Sequence, residues 1–243
     1  ITINRVEKKN SFTTAMYSAC ADALEQASAD ASVRVVVIQG HIAVFSAGND
    51  IADFLNTPTP GLSAPVLRFL RNLATFPKPL IAAVCGPAVG IGTTMLFHCD
   101  LVYAGDNAAF SMPFVNLGLC PEAASSYLLP QLAGSRIASE LLMLGDFFGA
   151  DKAITAGIIN STCPQELLIE KALSLAKKLA NQPTDALITT KSLLKKNQAS
   201  FVEDVMGEEL KEFSRLLGTE ASKEIFTAFL EKRPVDINKI HAS

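Results

Sequence analysis

Hydrophobic and polar positions along this chain follow two different periods. Val33–Gln39 (VRVVVIQ) and Leu80–Cys85 (LIAAVC) are short apolar runs of the length expected for buried strands. Leu101–Ala104, Ala109–Ser111 and Ile158–Cys163 read as further strands. Helical spacing of apolar residues predicts helices over Thr13–Ser28, Leu67–Phe76, Thr93–His98, Ala123–Leu132 and Arg136–Leu144. The same spacing recurs over Gln165–Ala180, Asp185–Asn197, Phe201–Leu217 and Ser222–Glu231. Asn56–Pro65, with three prolines and a glycine, reads as a loop, and the Leu67–Phe76 helix ends ahead of Lys78-Pro79. Strands with helices between them, followed by helices alone, predict an α/β core over residues 1–198 and a helical C-terminal region over 199–243.

Composition narrows the class. The 243 residues are 49% hydrophobic and 19% charged, a globular balance able to bury a core. A net charge of −3 supplies no broad basic field, so nucleic acid is not an expected partner. The five cysteines are odd in number and lack C-x-x-C spacing, which argues against a disulfide framework or a metal site. No apolar run reaches the roughly 18 residues of a membrane span. The opening ITINRVEKKN is not a secretory signal, and the ending His241-Ala242-Ser243 is not the peroxisomal Ser-Lys-Leu address. A cytoplasmic location is the expectation.

Two segments carry candidate chemistry. In Phe45-Ser46-Ala47-Gly48-Asn49-Asp50, small side chains let the backbone come close to a ligand, although the same residues suit a plain strand-end turn. In the second, the Leu80–Cys85 strand enters a turn with glycines at 86, 90 and 92 and then a helix, so free N–H groups of the first helical turn point outward. The glycine spacing is neither G-x-G-x-x-G nor a P-loop, and a close-packed turn without a ligand is the alternative. Two backbone donors from separate strand ends can converge on one oxygen as an oxyanion hole.

FSAGNDI (Phe45–Ile51) and KPLIAAVCGPAVGIGTTMLFHCDLVYA (Lys78–Ala104) resemble the crotonase (enoyl-CoA hydratase/isomerase) superfamily, and the likeness runs from Arg5 to Arg233. The resemblance implies a spiral of ββα units, an acyl-CoA thioester as substrate with no separate cofactor, and oxyanion donors at the Asn49 and Ile91 N–H groups. The two glutamates of the family's hydratases fall on Thr94 and Phe114 here, so both carboxylates are missing. Pro113–Glu122 and Ser125–Pro130 look instead like the peroxisomal-type Δ3,Δ2-enoyl-CoA isomerases, whose sole catalytic glutamate falls on Glu122. Taken alone, Glu122 is a carboxylate favouring the start of the following helix. Beside two donor motifs and without the hydratase acids, it is read as the catalyst.

The resemblance also places CoA along Ser46, Ala47, Gly48, Asp50 and Ile51, near Lys8 and Lys9, with Lys232 toward the nucleotide phosphates. The segment 51–76 would line the acyl pocket, and a homotrimer or hexamer would form through the C-terminal helices. Phe213, Leu216, Leu217, Ile225, Phe226 and Phe229 suit either that interface or the core. His98 and Cys120 are read as packed side chains. Two rivals stay open: another crotonase-type acyl-CoA enzyme, or a CoA-binding module without turnover.

Overall fold

The computed structural model describes residues 1–56 and 64–240. Most of the predicted loop, residues 57–63, and the C-terminal tripeptide lie outside the described residues. Helix α1 (Thr14–Ala29) starts where the Thr13 hydroxyl accepts the Met16 N–H, a side-chain cap. It buries Tyr17, Ala21 and Leu24, one helical stripe, and packs on α3. Strand β1 (Val36–Gln39), α2 (Ile51–Asn56), α3 (Ala64–Thr75), β2 (Leu80–Val84), β3 (Pro87–Val89) and α4 (Ile91–Thr94) follow, with a 3₁₀ turn at Met95–His98. Next come β4 (Leu101–Gly105), β5 (Ala109–Ser111), α5 (Ser125–Ala133), α6 (Ser135–Leu144), β6 (Phe148–Gly149), α7 (Ala150–Thr155) and β7 (Ser161–Cys163). The chain closes with α8 (Leu168–Ala180), α9 (Thr184–Lys195), α10 (Ala199–Leu217), α11 (Glu220–Glu231) and α12 (Ile237–Ile240).

Strands β1, β2, β4 and β7 form a parallel sheet in that order, in register Val36↔Leu80, Ile81↔Leu101 and Tyr103↔Ser161. Both faces of this sheet are covered, which explains the unbroken apolar run of β2. Leu80, Ala82 and Val84 face the main core, while Ile81, Ala83 and Cys85 pack with Leu168 and Ala172 of α8. A second sheet holds β3, β5 and β6. Each of the first three windings sends one strand into the first sheet and a short segment toward the second, then turns helical. Thus β2 leads to β3 and α4, and β4 leads to β5 and a 3₁₀ turn at Val115–Leu117. After β1, Phe45 and Ser46 donate to the Pro87 carbonyl of β3 before α2 begins.

The second sheet is the main departure from the predicted elements. The glycine-spaced segment 86–92 contains β3, whose three residues pair in parallel with β5 and are too few to register as a periodic run. The expected strand Ile158–Cys163 begins only at Ser161, because the Ile158 N–H is held by the Ala153 carbonyl at the end of α7. Helix α10 sets Val202, Met206, Phe213 and Leu217 into the main core across α3 and α5. Of the other candidates, Phe226 of α11 is buried and Phe229 is 62% exposed. From α9, Lys191 Nζ reaches Asp100 Oδ2 at 2.6 Å and the Lys78 carbonyl at 2.7 Å, while Asp100 also accepts the Leu80 N–H at the mouth of β2. No helix among the described residues is long and apolar enough to cross a membrane.

Candidate active site

The two glycine-bearing segments lie side by side. The Ser46 and Ala88 backbones pair as a parallel bridge, and the Val89 N–H donates to the Ser46 carbonyl at 2.9 Å. One glycine then follows each strand at positive φ, Gly48 at +89° and Gly90 at +55°. A Cβ on Gly48 would stand 3.1 Å from the Val89 carbonyl oxygen, so a side chain there is both strained and crowded. Immediately after each glycine comes a predicted donor, Asn49 or Ile91. Neither N–H has an acceptor among the described residues, and Ile91 opens α4, where an N–H has no intrahelical partner. Both residues line one cavity. Two free donors at one wall suit the oxygen of a polarised carbonyl.

Glu122 lies on the chain before α5 and lines an adjoining cavity that shares Asn49 and Phe213 with the first. Val66, Leu67 and Leu70 of α3 form one wall, as expected of the 51–76 segment, and Met206 and Leu210 of α10 form another. The Thr94 hydroxyl donates to Glu122 Oε1 at 2.6 Å. Burial pushes the Glu122 carboxyl up to about 7, the Thr94 bond works against that rise, and the nearby charge of Glu209 adds to it. Thr94, where the resemblance puts one hydratase acid, thus touches Glu122. The place of the other, Phe114, is a buried ring on the donor cavity.

The expected helix start at Ala123 is corrected to Ser125. Ala123 and Ala124 sit at φ +60° and +55°, and the Ser125 N–H closes a turn onto the Glu122 carbonyl. Glu122 is therefore separated from the helix by two left-handed alanines and is not a helix-start charge. Such a turn ordinarily uses glycine or asparagine, and each alanine costs about 1–2 kcal/mol there. Two buried groups hold it. His98 donates from Nε2 to the Ala123 carbonyl at 2.8 Å; the carbonyl only accepts, so that nitrogen carries the proton. Burial takes the ring down to about 4, so it is neutral and packed, as the sequence suggested. From α10, Glu209 accepts the Ala124 N–H at 2.6 Å, the Ser126 N–H at 2.9 Å and the Ser126 hydroxyl at 2.5 Å.

Glu209 escaped the sequence reading, although a signal existed. It interrupts the apolar stripe of α10 between Met206 and Phe213, where a charged residue must be paired. Tyr17 also escaped notice. Its hydroxyl donates to Asn49 Oδ1 at 2.5 Å, and burial together with the charge of Glu122 raises the phenol well above its ordinary range. Cys120 is part-buried with its thiol pushed up to about 11, mainly by burial, which leaves it an inert packing group.

The remaining predicted residues divide. Ser46 is fully buried, donating to the Asn10 carbonyl and accepting the Gly48 N–H. The Asp50 side chain is engaged by Arg5 at 2.6 Å and accepts the Ala52 and Asp53 N–H groups at the start of α2. Gly48 and Ile51 line the donor cavity with Ala47. The Ala47 N–H donates to the Lys9 carbonyl, so Lys8 and Lys9, both exposed, adjoin this segment. Lys232 is exposed at the left-handed C-cap of α11.

Residues 1–239 match the family described as Enoyl-CoA hydratase/isomerase. The chain belongs to this family. Among enoyl-CoA hydratase/isomerase relatives, the chain is 35% identical over 244 residues to 2,3-dehydroadipyl-CoA hydratase of Escherichia coli strain K12, covering 97% of this chain and 93% of that protein. It is 38% identical over 215 residues to enoyl-CoA delta isomerase 2 of Rattus norvegicus, covering 86% of this chain and 55% of that protein. The chain therefore spans about half the length of the rat isomerase. The crystal structure of an enoyl-CoA hydratase/isomerase from Pseudoalteromonas atlantica T6c superposes with a TM-score of 0.91 at 37% identity, covering 97% of this chain and 94% of that one. The crotonase fold and the family membership expected from the sequence are thereby established. The protein is an enzyme of the enoyl-CoA hydratase/isomerase family, and hydratases and isomerases resemble it about equally.

Proposed function

We propose that this enzyme is an isomerase that moves the double bond of a 3-enoyl-CoA from C3 to C2 with one carboxylate. The observation that carries this reading is the contact of Thr94 with Glu122: a hydroxyl stands where the resemblance puts one hydratase acid, and it supports the buried carboxylate beside Asn49. The thioester oxygen accepts the Asn49 and Ile91 N–H groups. Glu122 removes a proton from C2, the charge spreads from the thioester oxygen to C4, and protonated Glu122 returns the proton to C4. A carboxyl near 7 can serve both halves, as base and then as acid. Hydration needs a second acid or base to activate water. Glu209 lines the same cavity, but both of its oxygens are already occupied by Ala124 and Ser126.

CoA, part of the substrate, lies in this reading along residues 46–51 beside Lys8 and Lys9, with Lys232 serving its phosphates as a point charge. The enzyme works in the cytoplasm as a trimer or hexamer. Turnover of 3-hexenoyl-CoA, followed by the ultraviolet absorbance of the conjugated thioester, tests the reading. The expected result is isomerisation by the wild type, loss of it in Glu122→Gln, and negligible hydration of crotonyl-CoA. Robust hydration would overturn the proposal, and binding without turnover would favour a CoA-binding module.

A further inference from the structure

We infer that Glu209 is a positioning residue for this reaction: from α10 its carboxylate fixes the left-handed turn that aims Glu122 into the cavity. The inference rests on Glu122 being the base. Glu122 stands at the first position of the turn whose central residues, Ala123 and Ala124, both have positive φ. Alanine does not hold that conformation by itself, so the direction of the Glu122 side chain depends on groups outside the turn. Glu209, only 7% exposed, supplies three hydrogen bonds to the residues just after it, at Ala124 and Ser126. His98 anchors the other peptide, at the Ala123 carbonyl. Helix α10 also walls the cavity through Met206, Leu210 and Phe213, so one helix shapes the acyl wall and orients the base. A sideways error of about an ångström in a reacting group can cost a hundredfold in rate, which sets the scale of the effect.

The groups around Glu122 decide what the pH profile reports. Glu209 faces it from α10, Tyr17 from α1, and neutral His98 lies across the turn. Arg71 and Glu203 line the same cavity. Tyr17 and His98 carry no charge near neutral pH, so Glu209 is the anion whose removal most directly changes the proton affinity of Glu122.

The test compares Glu209→Gln, Glu209→Asp and Glu122→Gln with the wild type, each as kcat per folded molecule, KM and a pH profile, with melting curves alongside. Glu209→Gln is expected to lower kcat at least tenfold with KM changed less than twofold. Its acidic limb should move to lower pH, because loss of a neighbouring negative charge makes Glu122 a weaker proton acceptor. Glu209→Asp restores the charge but not the reach, so the limb should return while kcat stays low. A purely structural cap would lower the melting temperature and leave kcat and the limb unchanged, which would overturn the inference. If Glu209→Gln does not fold, Ser126→Ala removes one bond from the carboxylate and should lower kcat severalfold; a wild-type kcat would overturn the inference equally. An inactive Glu122→Gln beside a Glu209→Gln of wild-type kcat and pH profile defeats only the positioning role. A fully active Glu122→Gln defeats the base itself.

Discussion

Replacing Glu122 by glutamine should produce an enzyme that is less active and more stable. Burial raises this carboxyl from its ordinary value of 4.5 to about 7 in the folded protein. At about 1.4 kcal/mol per pH unit, that rise corresponds to roughly 3 kcal/mol. The side chain is only part-buried, and solvent screening reduces the figure to about 1–2 kcal/mol. The folded state holds the proton more tightly than the unfolded chain does. Its advantage is complete below pH 4.5 and is lost as pH rises through 7. Glutamine never ionises and can still accept the Thr94 hydroxyl. Glu122→Gln should therefore melt with the wild type near pH 4.5 and about 2–8 °C above it at pH 8, taking roughly 2–4 °C per kcal/mol for a chain of this size. Turnover of 3-hexenoyl-CoA should fall about 10²- to 10⁴-fold, the usual worth of a positioned base. Melting curves at the two pH values and initial rates suffice. An unchanged or lower melting temperature at pH 8 would refute the desolvation of Glu122, and a wild-type rate would refute its role as base.

Thr94→Ala removes a bond that favours ionised Glu122, so the acidic limb of the kcat profile should move above about 7, with little loss of rate at pH 9; a limb that stays put contradicts the assigned contact. Lys191→Ala leaves the Lys78 carbonyl without its ammonium partner and Asp100 with only Lys195, at 3.5 Å, and should cost about 1–3 kcal/mol in urea unfolding. Leu193, Leu194, Phe229 and Leu230 are 64%, 77%, 62% and 50% exposed, apolar side chains that the expected assembly would cover. Light scattering should then give a mass about three times the 25.9 kDa of one chain, or twice that for a hexamer, and a monomer would contradict the expected assembly.

The sequence made some of this legible and hid the rest for physical reasons. The long parallel strands announced themselves because burial on both faces leaves an unbroken apolar run, as in β2. Strand β3 did not, since three residues carry no period. The donor segments could be found because glycine stands where φ must be positive, at Gly48 and Gly90. The turn at Ala123 and Ala124 was invisible for the converse reason: its residues lack the usual turn chemistry, and its support comes from His98 and Glu209, 25 and 85 residues away. Glu122 was read as the base only in combination with its neighbours. Its contact with Thr94 puts two of the positions that entered that reading in one place.

The two donors are main-chain groups, and that has a consequence for how such an enzyme diversifies. Short of a change to proline, no substitution at these positions deletes an amide proton, so in the proposed mechanism the capacity to hold an enolate persists through wide sequence drift, provided the strands stay paired and the glycines stay bare. In the proposed mechanism the identity of the reaction rests elsewhere, on the few side chains at positions 94, 114 and 122. A lineage, or an engineer, can therefore exchange one acyl chemistry for another by substituting those residues, without rebuilding the cradle that makes any of them achievable.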